Sequence, residues 1–143
     1  MVDEQQIENW LNEGASDRAV GEMLSNLGTP LPNSYLQFIR QHNGGEGFVG
    51  KHYLSLWKIE DLAQFNKDYE VFDYAPGFIF FGSYGGGEGF AFDTTDQRLP
   101  ISIIPFIGMS REDAIRVSDS FDGFFEALRK DEFGRPSAFI TTS

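Results

Sequence analysis

The stretch FGSYGGGEGFAFD, residues 81–93, places five glycines in eight positions between two runs of phenylalanine. Before it, residues 78–81 are apolar at every position, which is typical of a central strand buried on both faces. At its end, residues 90–93 alternate between phenylalanine and small or charged side chains. Glycine adopts the positive φ angles of tight turns and leaves room for large rings to pass the backbone. We therefore predict two antiparallel strands joined by a structural turn at residues 85–87.

A glycine-rich loop can also bind phosphate, but this loop lacks the cation that such a site requires. Gly82 and Gly87 have the glycine spacing of a phosphate-binding loop, yet Glu88 and Gly89 stand where lysine and serine or threonine belong. A carboxylate at that position repels phosphate. The dinucleotide-binding pattern fails as well, because Phe90 replaces its third glycine. The sequence therefore argues against a nucleotide cofactor.

Apolar side chains at helical spacing predict helices on both sides of the hairpin. Ser16 and Ser120 are predicted N-caps, Gly28 ends one helix, and the sequence Asn43-Gly44-Gly45 is a predicted left-handed C-cap. The predicted helices lie around residues 7–11 and over residues 16–28, 32–42, 58–69 and 120–128. The side chains expected to face the core from two of them are Tyr35, Phe38, Ile39, Phe121, Phe124, Phe125 and Leu128.

Two more strands are predicted, and the order of the elements indicates the fold class. Residues 53–57 form a short apolar run, and residues 99–107 form another that contains Pro100 and Pro105. Proline is tolerated at a sheet edge or a bulge, so we assign the second run to such a place. Helices, then strands, then a helix predict a single α+β domain with helices packed on an antiparallel or mixed sheet.

The composition predicts one soluble domain. The chain has 143 residues, of which 41% are hydrophobic, and this suffices for a single core over residues 1–130, with residues 131–143 as a loose tail. Cysteine is absent, so disulfides, thiolate metal sites and cysteine nucleophiles are excluded. The acidic N-terminus does not resemble a signal peptide, and no apolar run approaches the length of a membrane helix. We expect a cytoplasmic protein.

The charge is unevenly distributed along the chain. The net charge is −11, and residues 59–96 hold eight acids against one base, Lys67. A field of this sign repels nucleic acid and anionic membranes and attracts basic surfaces. The segment is therefore either a solvated face that keeps the protein soluble or a docking surface for a cationic partner. The eight acids are Glu60, Asp61, Asp68, Glu70, Asp73, Glu88, Asp93 and Asp96.

Several blocks together resemble the Smi/Knr family of the SUKH superfamily. They are LPNSYLQFIRQHNGG at 31–45, Trp57 leading into an acidic helix, FGSYGGGEGFAFD at 81–93, IPFIGM at 104–109 and DSFDGFFEAL at 119–128. The resemblance implies an α+β domain and, for short bacterial members, an immunity protein that neutralises a cognate toxin, frequently a nuclease. Fungal members are implicated in cell-wall regulation and usually carry long extra segments. The resemblance supplies no catalytic residues.

The residues themselves also argue against an enzyme. The two histidines, His42 and His52, show no oriented partner for general-base catalysis and no metal-ligand spacing. Glu88 and Asp93 could form a carboxylate pair for glycoside hydrolysis, but their odd spacing points them to opposite faces of a regular strand. We therefore expect no catalytic residue, no cofactor and no bound metal.

The sequence leads to a binding protein whose partner is basic. The leading hypothesis is an immunity protein that covers the basic surface of a toxin with its acidic segment. The alternative is a scaffold or regulatory module, linked to the cell envelope, that binds no toxin. Tyrosines among the acids are candidate anchors, and Tyr84 and Glu88 are expected to be exposed beside the turn. The predicted contact residues are Glu60, Asp61, Asp68, Tyr69, Glu70, Asp73, Tyr74, Tyr84 and Glu88.

Overall fold

The predicted hairpin forms the centre of an antiparallel sheet. Strand β3, Phe78–Tyr84, pairs with strand β4, Glu88–Asp93, through the glycine turn. The other strands are β1, Gly45–Val49; β2, His52–Leu56; β5, Ile101–Pro105; and β6, Ile115–Ser118. Neighbours along the chain are neighbours in the sheet, in the order β1-β2-β3-β4-β5-β6, and every pair is antiparallel.

The structure, a computed structural model, describes residues 11–49, 52–85 and 87–130. Within these ranges the helices are α1, Asp17–Leu27; α2, Asn33–Gln41; α3, Leu62–Asp68; α4, Val71–Tyr74; and α5, Phe124–Lys130. Short 3-10 turns precede α3, β6 and α5, at Ile59–Asp61, Arg111–Asp113 and Phe121–Gly123. The predicted helix around residues 7–11, except for Leu11, and the predicted tail 131–143 lie outside the described residues. The predicted α+β class is confirmed, in a single domain.

The predicted helix ends agree only in part with the structure. The side chain of Ser16 accepts a hydrogen bond from the Ala19 amide at 3.1 Å, and Gly28 ends α1 with a φ of 69°, as predicted. At the end of α2 the prediction is wrong, because the C-cap is His42 in an extended conformation and the left-handed Gly44 follows it. Ser120 occupies an N-cap position, but its side chain makes no capping hydrogen bond.

One face of the sheet is covered by α2 and α5, and aromatic rings fill the space between them. Tyr35 of α2 lies edge-on to Phe81, Phe92 and Phe121, with ring centroids 5.0 to 5.5 Å apart. Such edge-to-face contacts between buried rings add to the gain from burial. Of the predicted core residues, Phe38 and Phe125 are half-buried; the fully buried ones are Tyr35, Ile39, Phe121, Phe124 and Leu128.

Two strands were missed, and of the two places predicted for β5, an edge or a bulge, the structure shows the bulge. Strands β1 and β6 are the edges of the sheet, so β5 lies between β4 and β6 and is not an edge strand. The predicted irregularity is present as a register shift between Ile101 and Ser102. The prolines do not disrupt β5, because Pro100 precedes the strand and Pro105 is its last residue.

The glycines of the hairpin have two separate structural roles. Gly85 adopts a left-handed φ of 64°, as a tight turn requires. A Cβ atom at Gly89 would lie 2.5 Å from the ring of Phe80 and 2.7 Å from that of Phe106. The rings therefore pass the backbone within β4 itself, whereas Gly85 has the backbone conformation that the turn requires.

Candidate protein-binding surface

The connection between α3 and β3 exposes aromatic and acidic side chains together. We call residues 68–74 the acidic-aromatic turn. Tyr69, Phe72 and Tyr74 are 43%, 85% and 56% exposed, whereas Val71 between them is buried in the core. Large exposed apolar groups that cluster in this way mark interaction surfaces in soluble proteins.

The backbone of this turn contains an uncommon conformation. Glu70, between α3 and α4, has φ 57° and ψ 39°, which is left-handed. This conformation costs roughly 1–2 kcal/mol for a residue with a Cβ atom, and glycine or asparagine usually occupies it. The turn thus places an exposed carboxylate where a glycine would be less strained, and it sends Val71 inward while its neighbours point outward.

Tyr69 is held at the surface by an aromatic stack. Its ring lies 4.3 Å from that of Phe106 and 6.0 Å from that of Trp57, and both pairs are nearly parallel. Trp57 in turn meets Phe65 of α3 edge-on at 4.9 Å. Because its ring stacks with two neighbouring rings, Tyr69 is held in place at the surface and would lose little side-chain entropy on binding, which is favourable for an interface anchor.

Next to this stack lies a depression of about 490 Å³ between β2 and α3. Trp57 and Phe65 line it together with the half-buried Asp61. Glu46 of β1 also lines it and accepts a hydrogen bond of 2.8 Å from the hydroxyl of Tyr53. This hydrogen bond raises the pKa of Tyr53 above its ordinary value. Aromatic and acidic side chains therefore continue from the turn towards the β1 edge, and Lys58 lies among them in the lining.

The acidic segment divides into charges that are neutralised and charges that are not. Asp93 pairs with Arg111 at 3.1 Å, and Asp96 pairs with Arg98 at 3.3 Å. Burial acts to raise the pKa of Asp93, but hydrogen bonds from Thr95 and Arg111 outweigh it and hold that pKa below its usual range. Within the part of the chain that the structure describes, no ion pair joins a base to the remaining acids of residues 60–73, namely Glu60, Asp61, Asp68, Glu70 and Asp73.

This pairing changes the charge map drawn from the sequence. Arg98 and Arg111 lie outside the 59–96 window, so a count within the window overstates its uncompensated charge. Glu60 and Asp61 lie before α3, Asp68 is its last residue, and Glu70 and Asp73 follow it. Glu60 also accepts a hydrogen bond of 2.7 Å from Asn43, which holds it near the end of α2.

Two predicted contact residues lie away from this surface. Tyr84 is only 2% exposed and packs on Phe90 at 4.9 Å, so the prediction that it is exposed is wrong. The reason is register: Tyr84 pairs with Glu88, and both point to the same face as Phe90, which α5 covers. Glu88 is half-buried there. The sheet separates both side chains from the acidic-aromatic turn, where Tyr69 stacks against the opposite face.

Sequence reasoning missed several residues of this surface. Phe72 is the most important, and the signal available was the alternation of aromatic and acidic residues in YEVFDY at 69–74. Phe106 and the exposed pair Phe48 and Tyr53 were missed as well, because their positions depend on which strands are neighbours.

The structure does not bring together Glu88 and Asp93, the carboxylate pair considered for glycoside hydrolysis. Strand β4 pairs regularly with β5, and the bulge lies on β3 between Phe80 and Gly82. Glu88 and Asp93 therefore point to opposite faces. His42 is half-buried against the ring of Phe38.

Among residues 11–49, 52–85 and 87–130, no helix has the length and apolar character needed to cross a bilayer.

Comparison with known proteins places the chain in a family. Residues 14–127, from just before α1 to within α5, match the SMI1 / KNR4 family (SUKH-1). A protein of Bacillus subtilis (strain 168), named Uncharacterized protein YnaB, is 30% identical over 116 residues, which cover 80% of this chain and 76% of that protein. The chain therefore belongs to the SMI1 / KNR4 family (SUKH-1).

Proposed function

We propose that this protein is a non-enzymatic immunity protein that neutralises a toxin by binding its basic surface. The observation that carries the proposal is the acidic-aromatic turn, where three exposed aromatic side chains alternate with acids that have no ion-pair partner among the described residues. Membership of the family supports an immunity-type role.

The charge of the surface indicates the chemistry of the partner. A nuclease presents lysine and arginine to the phosphate backbone of its substrate. An acidic surface is drawn to those cations at long range and competes with nucleic acid for them. The unpaired carboxylates at Asp68, Glu70 and Asp73 are available for this role because no intramolecular ion pair with a described residue has to be broken first.

The aromatic side chains supply the short-range part of binding. Tyrosine and other aromatic residues carry much of the energy of protein interfaces when they are buried at the centre of the contact. Tyr69 is fixed by its stack, and Tyr74 and Phe72 lie on α4 a few residues further on. We therefore propose that the acids speed association with the toxin and that the aromatic rings slow its dissociation.

The test of the charge assignment is association kinetics with the cognate toxin, sought in the gene directly upstream. The triple variant D68N/E70Q/D73N should associate more slowly than wild type by on the order of tenfold at low ionic strength. Because the Debye length falls from about 30 Å at 0.01 M salt to about 8 Å at 0.15 M, the difference should shrink as salt is added. Surface plasmon resonance at several salt concentrations measures both effects.

The matched control removes the same number of charges from the opposite side of the sheet. Asp119, Asp122 and Glu126 lie beside or within the elements that pack on Phe81 and Phe90. The variant D119N/D122N/E126Q should associate at nearly the wild-type rate. If both triple variants slowed association equally, the acidic-aromatic turn would be only a solvated face and not a binding surface.

Binding to an endogenous regulatory protein, with no toxin neutralised, would contradict the immunity role and support the scaffold role.

Truncation of Tyr74 tests the assignment of dissociation to the rings. Tyr74→Ala should speed dissociation of the toxin by at least tenfold while leaving the association rate and the free energy of unfolding nearly unchanged, because the ring is exposed in the free protein. The same sensor traces give both rate constants, and urea denaturation gives the stability. An unchanged dissociation rate would remove Tyr74 from the interface.

A further inference from the structure

A second depression, of about 370 Å³, lies on the other side of α3 and beside Phe72. It is bounded by the end of α1, by α3 and α4, and by the start of β3. Its apolar lining comes from Leu27, Ala63, Val71, Phe72, Phe78 and Ile79. We call it the Phe72 groove. It is separate from the depression of about 490 Å³ beside Trp57. Phe65 of α3 lines that first depression, whereas Ala63 and Lys67 of the same helix line the groove.

The exposure of the Phe72 ring is not explained by packing within the fold. It is 85% exposed, although the groove that it borders is apolar. A phenylalanine that stays in water next to an open apolar groove gains its hydrophobic stabilisation only when another molecule covers both. The groove and the ring therefore form one surface for an apolar side chain.

The charges around the groove select among possible occupants. Asp68, Glu70 and Asp73 flank Phe72 in the sequence, and Lys67, the one base among residues 67–74, lines the groove itself. A second copy of this chain would bring two such acidic surfaces together, and the like charges would repel. A segment that carries lysine or arginine beside its apolar residues gains attraction at the same position.

We propose that the Phe72 groove receives an apolar side chain from a basic amphipathic segment of the partner protein. The inference rests on the proposed function for the charge of that partner, and it adds how the partner is anchored. An apolar residue enters between Leu27 and Ala63 and is covered by Phe72. The flanking cations of the segment then lie beside the carboxylates that neighbour Phe72 in the acidic-aromatic turn, Glu70 and Asp73.

The first test uses a designed helical peptide with leucines at i, i+3, i+4 and i+7 and lysines at the positions between them. A ¹⁵N-labelled sample of the full chain is titrated and followed by NMR. The peptide should shift the amide signals of Leu27, Ala63 and Phe72. A peptide in which every leucine is replaced by serine should bind at least tenfold more weakly, since only the attraction between its lysines and the acids remains. Equal binding of the two peptides would overturn the proposal.

Variants on α3 and α4 give the matched controls. Ala63→Leu fills the groove with a good helix former, whereas Gln64→Leu makes the same kind of change at an exposed position of the same helix. Ala63→Leu and Phe72→Ser should each weaken the leucine-lysine peptide at least tenfold. Gln64→Leu and Phe48→Ser, which removes an exposed phenylalanine from β1, should leave its affinity within twofold. Equal losses in all four variants would contradict the proposal.

If a different molecule or segment occupies the Phe72 groove, different experimental results are expected. Peptide binding that requires removal of residues 131–143 would assign the groove to this chain's own C-terminal segment. A dimer in sedimentation equilibrium that Phe72→Ser dissociates would assign it to a second copy. Either result would overturn the proposal.

Measurements with the toxin distinguish a failure of this inference from a failure of the proposed function. A toxin that binds wild type and Ala63→Leu with the same dissociation rate would overturn the groove's role and leave the immunity function standing. Binding of the peptide as expected, with no toxin neutralised, would overturn the immunity function alone.

Discussion

Replacing Phe124 with alanine is expected to lower the free energy of unfolding by roughly 3–5 kcal/mol. The ring is fully buried, and it meets Phe90 edge-on at 4.9 Å and Phe81 at 5.3 Å between ring centroids. Both partners belong to the central hairpin, which cannot move to fill the cavity without disturbing its pairing with the neighbouring strands. Chemical denaturation monitored by circular dichroism measures the change.

The adjacent Phe125 provides the matched comparison. It packs against Phe38 and Phe121, but it is half-buried and remains partly in contact with water. Phe125→Ala should therefore cost clearly less than Phe124→Ala, because less apolar area returns to solvent and water can occupy the space that is left. Equal losses at the two positions would mean that α5 is rotated relative to the packing described here.

The central elements were predictable because their signals are local. The runs on either side of the glycine turn are apolar or alternating over several residues, and the helices have clear periodicity and stop signals. Strands β1 and β6 lack such signals. Strand β1 has the sequence GEGFV, in which two glycines remove the side chains that define alternation, and β6 has only four residues. These edge strands are specified by pairing with their neighbours, which is a non-local property.

The composition of the candidate binding surface was predictable, but its geometry was not. Of the three tyrosines predicted as anchors, Tyr69 and Tyr74 are exposed and Tyr84 is buried. The burial of Tyr84 could not be predicted, because alternation shows that it shares a face with Glu88 and does not show that helices cover this face. The pairing of Asp93 with Arg111 joins residues that are 18 positions apart, so a local charge count could not anticipate it.

Asn66 connects the fold to the proposed binding surface, and its replacement is expected to have a similarly large effect. Strand β2 pairs with β3 over Leu54 to Leu56, which leaves the backbone of Phe80 beyond that paired region. The side chain of Asn66 takes the place of a neighbouring strand there. Its Oδ1 accepts from the Phe80 amide at 2.8 Å, and its Nδ2 donates to the Phe80 carbonyl at 2.9 Å.

Asn66→Ala removes both hydrogen bonds to Phe80, together with a third that Nδ2 donates to the Leu62 carbonyl at 2.7 Å, and leaves the two buried backbone groups of Phe80 without this partner. Each unsatisfied buried group costs about 1–3 kcal/mol, so the free energy of unfolding should fall by roughly 2–6 kcal/mol. Gln64→Ala on the exposed face of α3 should change it by less than about 0.5 kcal/mol. Hydrogen exchange supplies a specific readout, because the Phe80 amide should lose protection in Asn66→Ala and keep it in Gln64→Ala.

Asn66→Asp separates the lost hydrogen bond from the lost volume. The new carboxylate is nearly the same size and can still accept from the Phe80 amide, but it cannot donate to the Phe80 carbonyl and would place a buried charge beside it. Its cost should therefore equal or exceed that of Asn66→Ala. Because the acidic-aromatic turn begins two residues after Asn66, both variants should also weaken toxin binding without a contact of their own. Wild-type stability in either variant would show that water replaces the amide, and that α3 is held on the sheet by its apolar contacts alone.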